Sequence, residues 1–128
     1  MIHAQNTKDV VLIASQAITS SQTNTSNLDT MGADYATIRI NLGAELNGNA
    51  IGPTISLKES DDTVVTNFAT FNTDFSITGA DGDLASAKEV LWHVDTKTRK
   101  RYLRLTVNTG TATNDNITIG AVATLGRL

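Results

Sequence analysis

The side chains able to do chemistry fall into three groups. Lys97, Arg99, Lys100, Arg101 and Arg104 form a dense basic cluster, five of the ten basic residues in one short run. Glu59, Asp61 and Asp62, and separately Asp81 and Asp83, offer carboxylate oxygens of the kind that hold calcium. His3 and His93 are the two histidines. Serine and threonine are abundant, but no G-x-S-x-G stretch sets one up as a nucleophile, and a nucleophile needs a base beside it. The chain has no cysteine, which excludes disulfides, thiolate metal sites and cysteine catalysis.

Each group has an ordinary role to set against a functional one. Asp81-Gly82-Asp83 opens like a calcium loop, but that frame lacks the glycine at its sixth position and carries Trp92 where the twelfth needs glutamate. A solvated turn is therefore the favoured reading, and no metal or cofactor is assigned. His93 has no local acidic or histidine neighbours of metal-ligand spacing and reads as a cross-strand surface residue. Paired carboxylates for glycoside hydrolysis stay open, because their separation is a tertiary property. Enzyme activity is not expected.

The basic cluster reads either as a contact for an acidic partner or as a solvated turn that keeps a strand edge soluble. Only Tyr102 is interleaved with it, so base stacking has little to build on. A net charge of -3 also opposes non-specific nucleic-acid binding. No direct nucleic-acid contact is expected. The candidate partner-contact residues are Lys97, Arg99, Lys100 and Arg101, with Lys8 from the N-terminal arm.

The elements that must position these residues are strands. Tyr35 to Leu42 alternates, with Ala36, Ile38, Ile40 and Leu42 on one face and Tyr35, Thr37, Arg39 and Asn41 on the other. Ile55 and Leu57 point inward from Thr54 to Ser60. Val90, Trp92 and Val94 share a face, opposite Leu91 and His93. Leu103, Leu105 and Val107 alternate with Tyr102, Arg104 and Thr106; Ile117, Ile119, Ala121, Ala123 and Leu125 repeat the pattern. These last two runs read as a β-hairpin with a long tip loop. The short Thr96 to Lys100 connection reads as joining antiparallel neighbours. Val10 to Ala14 is a short strand buried in part on both faces, and Ser15 to Asn27 is either an exposed strand or an irregular loop. Asn47-Gly48 suits a positive-φ turn. Phe68, Phe71 and Phe75 are expected to plug the open end of the sheets, and Leu84 to Ala87 suits one helical turn.

At 128 residues one domain is expected: a flexible arm over residues 1–8 and one β-domain over 9–128. Turn signals every 8–12 residues, seven to eight strands and little helix make it an all-β, antiparallel, jelly-roll-like sandwich. No apolar run approaches the ~20 residues of a membrane span. The N-terminus lacks the pattern of a signal peptide, so no membrane contact is expected.

Several stretches together resemble small bacteriophage structural proteins of the head-decoration, or cement, type. They are Leu57-Lys58-Glu59-Ser60-Asp61-Asp62 followed by Phe68, then Arg101-Tyr102-Leu103-Arg104, then Gly120-Ala121-Val122 with Leu125-Gly126. Asp34-Tyr35 leading to Gly43 fits the same order. The segment between Asp62 and Lys88, and the polar start to Asn27, have no counterpart. The resemblance implies a non-enzymatic protein made in the host cytoplasm that binds the major capsid protein on the virion exterior, often as a homotrimer. Competing readings are a virion tail or neck component and a carbohydrate-binding β-sandwich on the virion surface. The carbohydrate reading needs exposed aromatics, and the chain holds only six: three Phe, two Tyr and one Trp.

Overall fold

The computed structural model describes residues 7–18, 23–44, 54–70, 76–77, 87–108 and 117–127. These form strands β1 (Thr7–Ile18), β2 (Thr23–Asp29), β3 (Tyr35–Leu42), β4 (Thr54–Ser60), β5 (Ala69–Thr70), β6 (Ser76–Ile77), β7 (Lys88–Asp95), β8 (Tyr102–Asn108) and β9 (Ile117–Gly126). Seven are long and two have two residues. Short 3-10 turns occupy Val65–Asn67 and Thr96–Thr98. One sheet has the order β1-β9-β3-β7; the other runs β2-β8-β4-β5, with β6 also on β4. All pairings are antiparallel. Successive long strands alternate between the sheets, which is the jelly-roll arrangement.

The alternation read from sequence sets the faces. Ala36, Ile38, Ile40 and Leu42, then Ile117, Ile119, Ala121, Ala123 and Leu125, line the inner face of the four-stranded sheet. Ile55, Leu57, Leu103, Leu105 and Val107 meet them from the other sheet. Trp92 and Val94 are buried in the same cluster, as their shared face requires.

Neighbours were another matter. β8 and β9 do not form a hairpin: β8 lies between β2 and β4, while β9 lies between β1 and β3. Two runs with one apolar face each can bury it against a common layer or against one another across the core, and here they face across the core. For the same reason β7 and β8 are not sheet neighbours; Thr96 to Arg101 carries the chain from one sheet to the other. Of Ser15 to Asn27, residues 15–18 end β1 and 23–27 open β2, while 19–22 lie outside the described residues.

β1 departs from simple alternation. Its register against β9 shifts between Val11 and Ile13 and again between Ile13 and Gln16. Leu12 and Ile13 are therefore both buried in succession while Val11 is exposed, as a bulge produces. β1 also starts at Thr7, so Thr7 and Lys8 belong to the sheet and not to the N-terminal arm. Phe68 is buried, but outside the core cluster and beneath Arg104, whose guanidinium stands 5.5 Å from the ring centroid. It does not plug the sandwich end. Phe71, Phe75, His3, Asp81, Asp83, Asn47-Gly48 and Leu84 to Ser86 lie outside the described residues.

Candidate functional site

The turns joining β2 to β3, β4 to β5 and β7 to β8 meet at one end of the sandwich, and buried threonines stitch them together. Thr30 donates both its N–H and its hydroxyl to the Arg101 carbonyl, at 2.9 and 2.6 Å. The Thr96 hydroxyl donates to Ala33 O at 2.8 Å, and its N–H donates to Asp34 O at 3.1 Å. Asp34 N–H in turn reaches Gly126 O at 2.8 Å. Asp95 caps the Thr96–Thr98 turn by accepting Lys97 N–H. Gly32 takes φ +83°, a value side chains other than glycine's resist. Replacing Thr96 by valine is expected to cost about 1–3 kcal/mol, the penalty for leaving a buried acceptor unpaired. Chemical denaturation measures this, and faster amide exchange at Asp34 and Thr96 should accompany it.

All five residues read from sequence as partner contacts come to this end. Lys8 borders a depression shared with Met31, Gly32 and Arg127. Lys97, Arg99, Lys100 and Arg101 occupy the turn before β8. Three of them meet the chain's own acids. Arg101 grips Asp29 through two hydrogen bonds of 3.0 and 2.9 Å. Arg99 faces Glu59 and Lys100 faces Asp61, each at 4.0 Å. Glu59 also accepts Lys100 N–H at 3.0 Å, which fixes the turn against β4. Three of the four cations of this turn thus have an acid of the same chain within 4.0 Å, Arg101 most closely. Lys97 and Lys8 make no ion pair with any described residue.

The acidic turn after β4 is organised by Asp62. Its carboxylate accepts from Val64 N–H at 2.9 Å and from the Asn67 amide, while the Ser60 hydroxyl accepts from Asp62 N–H. Its oxygens are thus engaged by the chain's own donors. Among the described residues no three His, Asp or Glu side chains group as a metal site would require.

These contacts have a pH signature. The hydrogen bond from Arg101 holds the Asp29 carboxyl below its ordinary value, helped by Met31 N–H. Asp62 is lowered in the same way, first by Val64 N–H and then by Asn67. A carboxyl that is more acidic folded than unfolded contributes fully above the unfolded value, near pH 4, and loses that contribution as pH falls through the folded value. Both sites are solvent-accessible, so the effect is modest and screened by salt. Acidification below about pH 4 is expected to loosen this end, less steeply in Asp29→Asn than in the wild type. Denaturation midpoints across that range check it.

Beside this end, the outer face of the four-stranded sheet carries a cleft of about 490 Å³, bounded by Asp34, Tyr35, Thr37, His93, Asp95 and Lys97. Strand register assembles it. Tyr35 lies opposite both Asp95 and Gly126, and Thr37 lies opposite both His93 and Thr124. The Tyr35 ring occupies the space that a Cβ on Gly126 would fill. Glycine there lets the aromatic ring lie across β9, a known cross-strand pairing. Thr37 Oγ1 and His93 Nδ1 are 3.1 Å apart and share a hydrogen bond. The Asp95 carboxylate, the Lys97 ammonium and the Thr37 hydroxyl supply further acceptors and donors. One half-buried aromatic and several polar groups thus border the same depression.

The basic cluster was visible in the sequence, but the cleft was not. Thr37 and His93 are separated by 56 positions. Each read correctly as outward-facing; what was missing was the β3–β7 register. Tyr35 reads as outward-facing and Gly126 only as part of the resemblance, and nothing in the sequence joins them.

Neither a protein-family model nor a curated protein sequence matches the chain. Similar solved structures include the enzymatically active domain of tailspike protein 4 from bacteriophage CBA120, at 10% identity and a TM-score of 0.53, covering 94% of this chain and 19% of that one. Another is isomalto-dextranase from Arthrobacter globiformis T6, complexed with panose, at 8% identity and a TM-score of 0.51, covering 93% of this chain and 23% of that one. The chain thus spans less than a quarter of the length of either. At these identities the likeness is one of fold: the chain is a jelly-roll β-sandwich module of a kind found within larger proteins.

Proposed function

We propose that the chain is a carbohydrate-binding β-sandwich of a virion surface, acting by binding and not by catalysis. The observation that carries this is the cleft at Tyr35, Thr37, His93, Asp95 and Lys97. The apolar face of a sugar ring packs on the Tyr35 ring, whose body is apolar and whose hydroxyl is polar. The Thr37, His93, Asp95 and Lys97 groups then bond the ring hydroxyls. The single aromatic limits affinity, so strong attachment needs several copies acting together. The virion setting is supported by the tailspike likeness, and the sugar by the cleft and by the dextranase that was solved with panose.

Capsid decoration draws on the end turns instead, where Arg99, Lys100 and Arg101 face Glu59, Asp61 and Asp29. Cations already matched offer an acidic partner less than free ones do, and for that reason the cleft is preferred. A glycan array probed with the full chain tests the choice. Hits sharing one sugar unit are expected. An array without hits, together with binding to purified expanded heads, would replace this reading with decoration.

A further inference from the structure

We propose that the cleft is one end of a trough crossing the whole four-stranded sheet, and that its ligand is a linear saccharide lying at right angles to the strands, with no acidic group at its β1 end. This rests on the carbohydrate reading. It adds the ligand's length, direction and charge, and two further binding residues, Asp9 and Thr124.

Strand register lays the trough out. Thr37 lies opposite His93 on one side and Thr124 on the other, and Thr124 lies opposite Asp9. These four outward residues form one polar row from β7 through β3 and β9 to β1. Each is exposed or half-buried. Neighbouring strands stand about 4.8 Å apart, so the row runs for about 14 Å. Hydrogen bonds order both of its ends. Thr37 and His93 share one of 3.1 Å, and the Thr124 hydroxyl donates to Asp9 Oδ1 at 2.7 Å. The rows on either side make the walls. One holds Asp95 and Tyr35, whose ring lies over Gly126. The other holds Val11, Val122, Arg39 and Leu91. Along β3 the outward series Tyr35, Thr37, Arg39 sets a short side chain between two long ones, which makes the row low.

The chemistry of the rows selects the direction. Across the strands the polar groups continue over all four. Along them, the next row is hydrocarbon and the Arg39–Glu89 ion pair of 3.2 Å; Val11 is 64% and Leu91 44% exposed there. A saccharide matches this pattern, with ring hydroxyls for the polar row and apolar ring faces for the walls. The strand spacing is close to the length of one pyranose unit, so successive units meet successive strands and about three fill the row. The Asp9 end sets the charge. The Thr124 proton goes to Asp9, and a carboxylate only accepts. That end therefore calls for donors, which sugar hydroxyls supply, and it repels a uronate or sulfate group.

Calorimetry on the full chain tests this, using the monomer, dimer, trimer and longer oligomers of the sugar shared by the array hits. Affinity is expected to rise with length up to about the trimer, which spans the row, and then to level. Asp9→Ala and Thr124→Val change outward side chains and are expected to melt as the wild type does. Each is expected to weaken the trimer about two- to tenfold, the worth of one net hydrogen bond, and to leave the monomer unchanged. Tyr35→Ala is expected to weaken every length. A monomer bound as tightly as the trimer overturns the trough, as does a trimer whose affinity neither Asp9→Ala nor Thr124→Val changes. In both cases a loss in Tyr35→Ala leaves carbohydrate binding at the cleft standing. An array without hits overturns both.

Discussion

Truncating Ile38 to alanine is expected to destabilise the protein by about 2–5 kcal/mol, the range for removing buried aliphatic groups from a packed core. Ile38 is fully buried on β3, the strand held between β9 and β7. Its sheet neighbours on the inner face are Trp92 and Ala123. Trp92 is held at the sheet edge and Ala123 is too small to fill the space, so the cavity collapses little. Domains of this size are stable by only about 5–15 kcal/mol, so the loss takes a large share. Urea denaturation reads it as a lower midpoint at unchanged slope. Val11→Ala, at an exposed site, is expected to stay within about 0.5 kcal/mol of the wild type. Equal costs for the two would contradict the sandwich core.

Replacing Tyr35 by alanine is expected to weaken glycan binding about tenfold or more, because aromatic contacts contribute on the order of 1 kcal/mol beyond the area they bury. The fold should persist, since the ring lies on the outer face and its removal uncovers only Gly126. Gly126→Ala provides a second route to the same result. A methyl group there collides with the Tyr35 ring, which must then move off β9. Titration calorimetry separates lost affinity from lost folding, since both variants should still bind a full equivalent of glycan at high concentration. Wild-type affinity in both variants would remove the aromatic from the site.

What could be read from the sequence follows from what a period of two encodes. Ile38, Leu105 and Ala121 read as inward because alternation sets a residue's face. Alternation does not say which strand lies alongside. Leu103–Val107 and Ile117–Leu125 therefore read as a hairpin, whereas in the fold they oppose each other across the core. The bulges of β1 were invisible for a related reason, since Leu12 and Ile13 are both aliphatic and either could face inward. The charged end was half legible. Arg101 stood out in the basic run, but Asp29, its partner, lies 72 positions away. Local composition could not show that the cluster is matched. The cleft was the least legible part, because Tyr35, Thr37 and His93 become a site only through the β3–β7 and β3–β9 registers.

The most direct test of carbohydrate binding at this cleft is an amide NMR titration of the full chain with the glycan that the array selects. Saturable shifts at Thr37, His93, Asp95 and Lys97, absent in Tyr35→Ala at matched concentration, are the predicted result. Shifts confined to Thr25, Thr106 and Ser56 on the other sheet, or no saturable shifts, would contradict it.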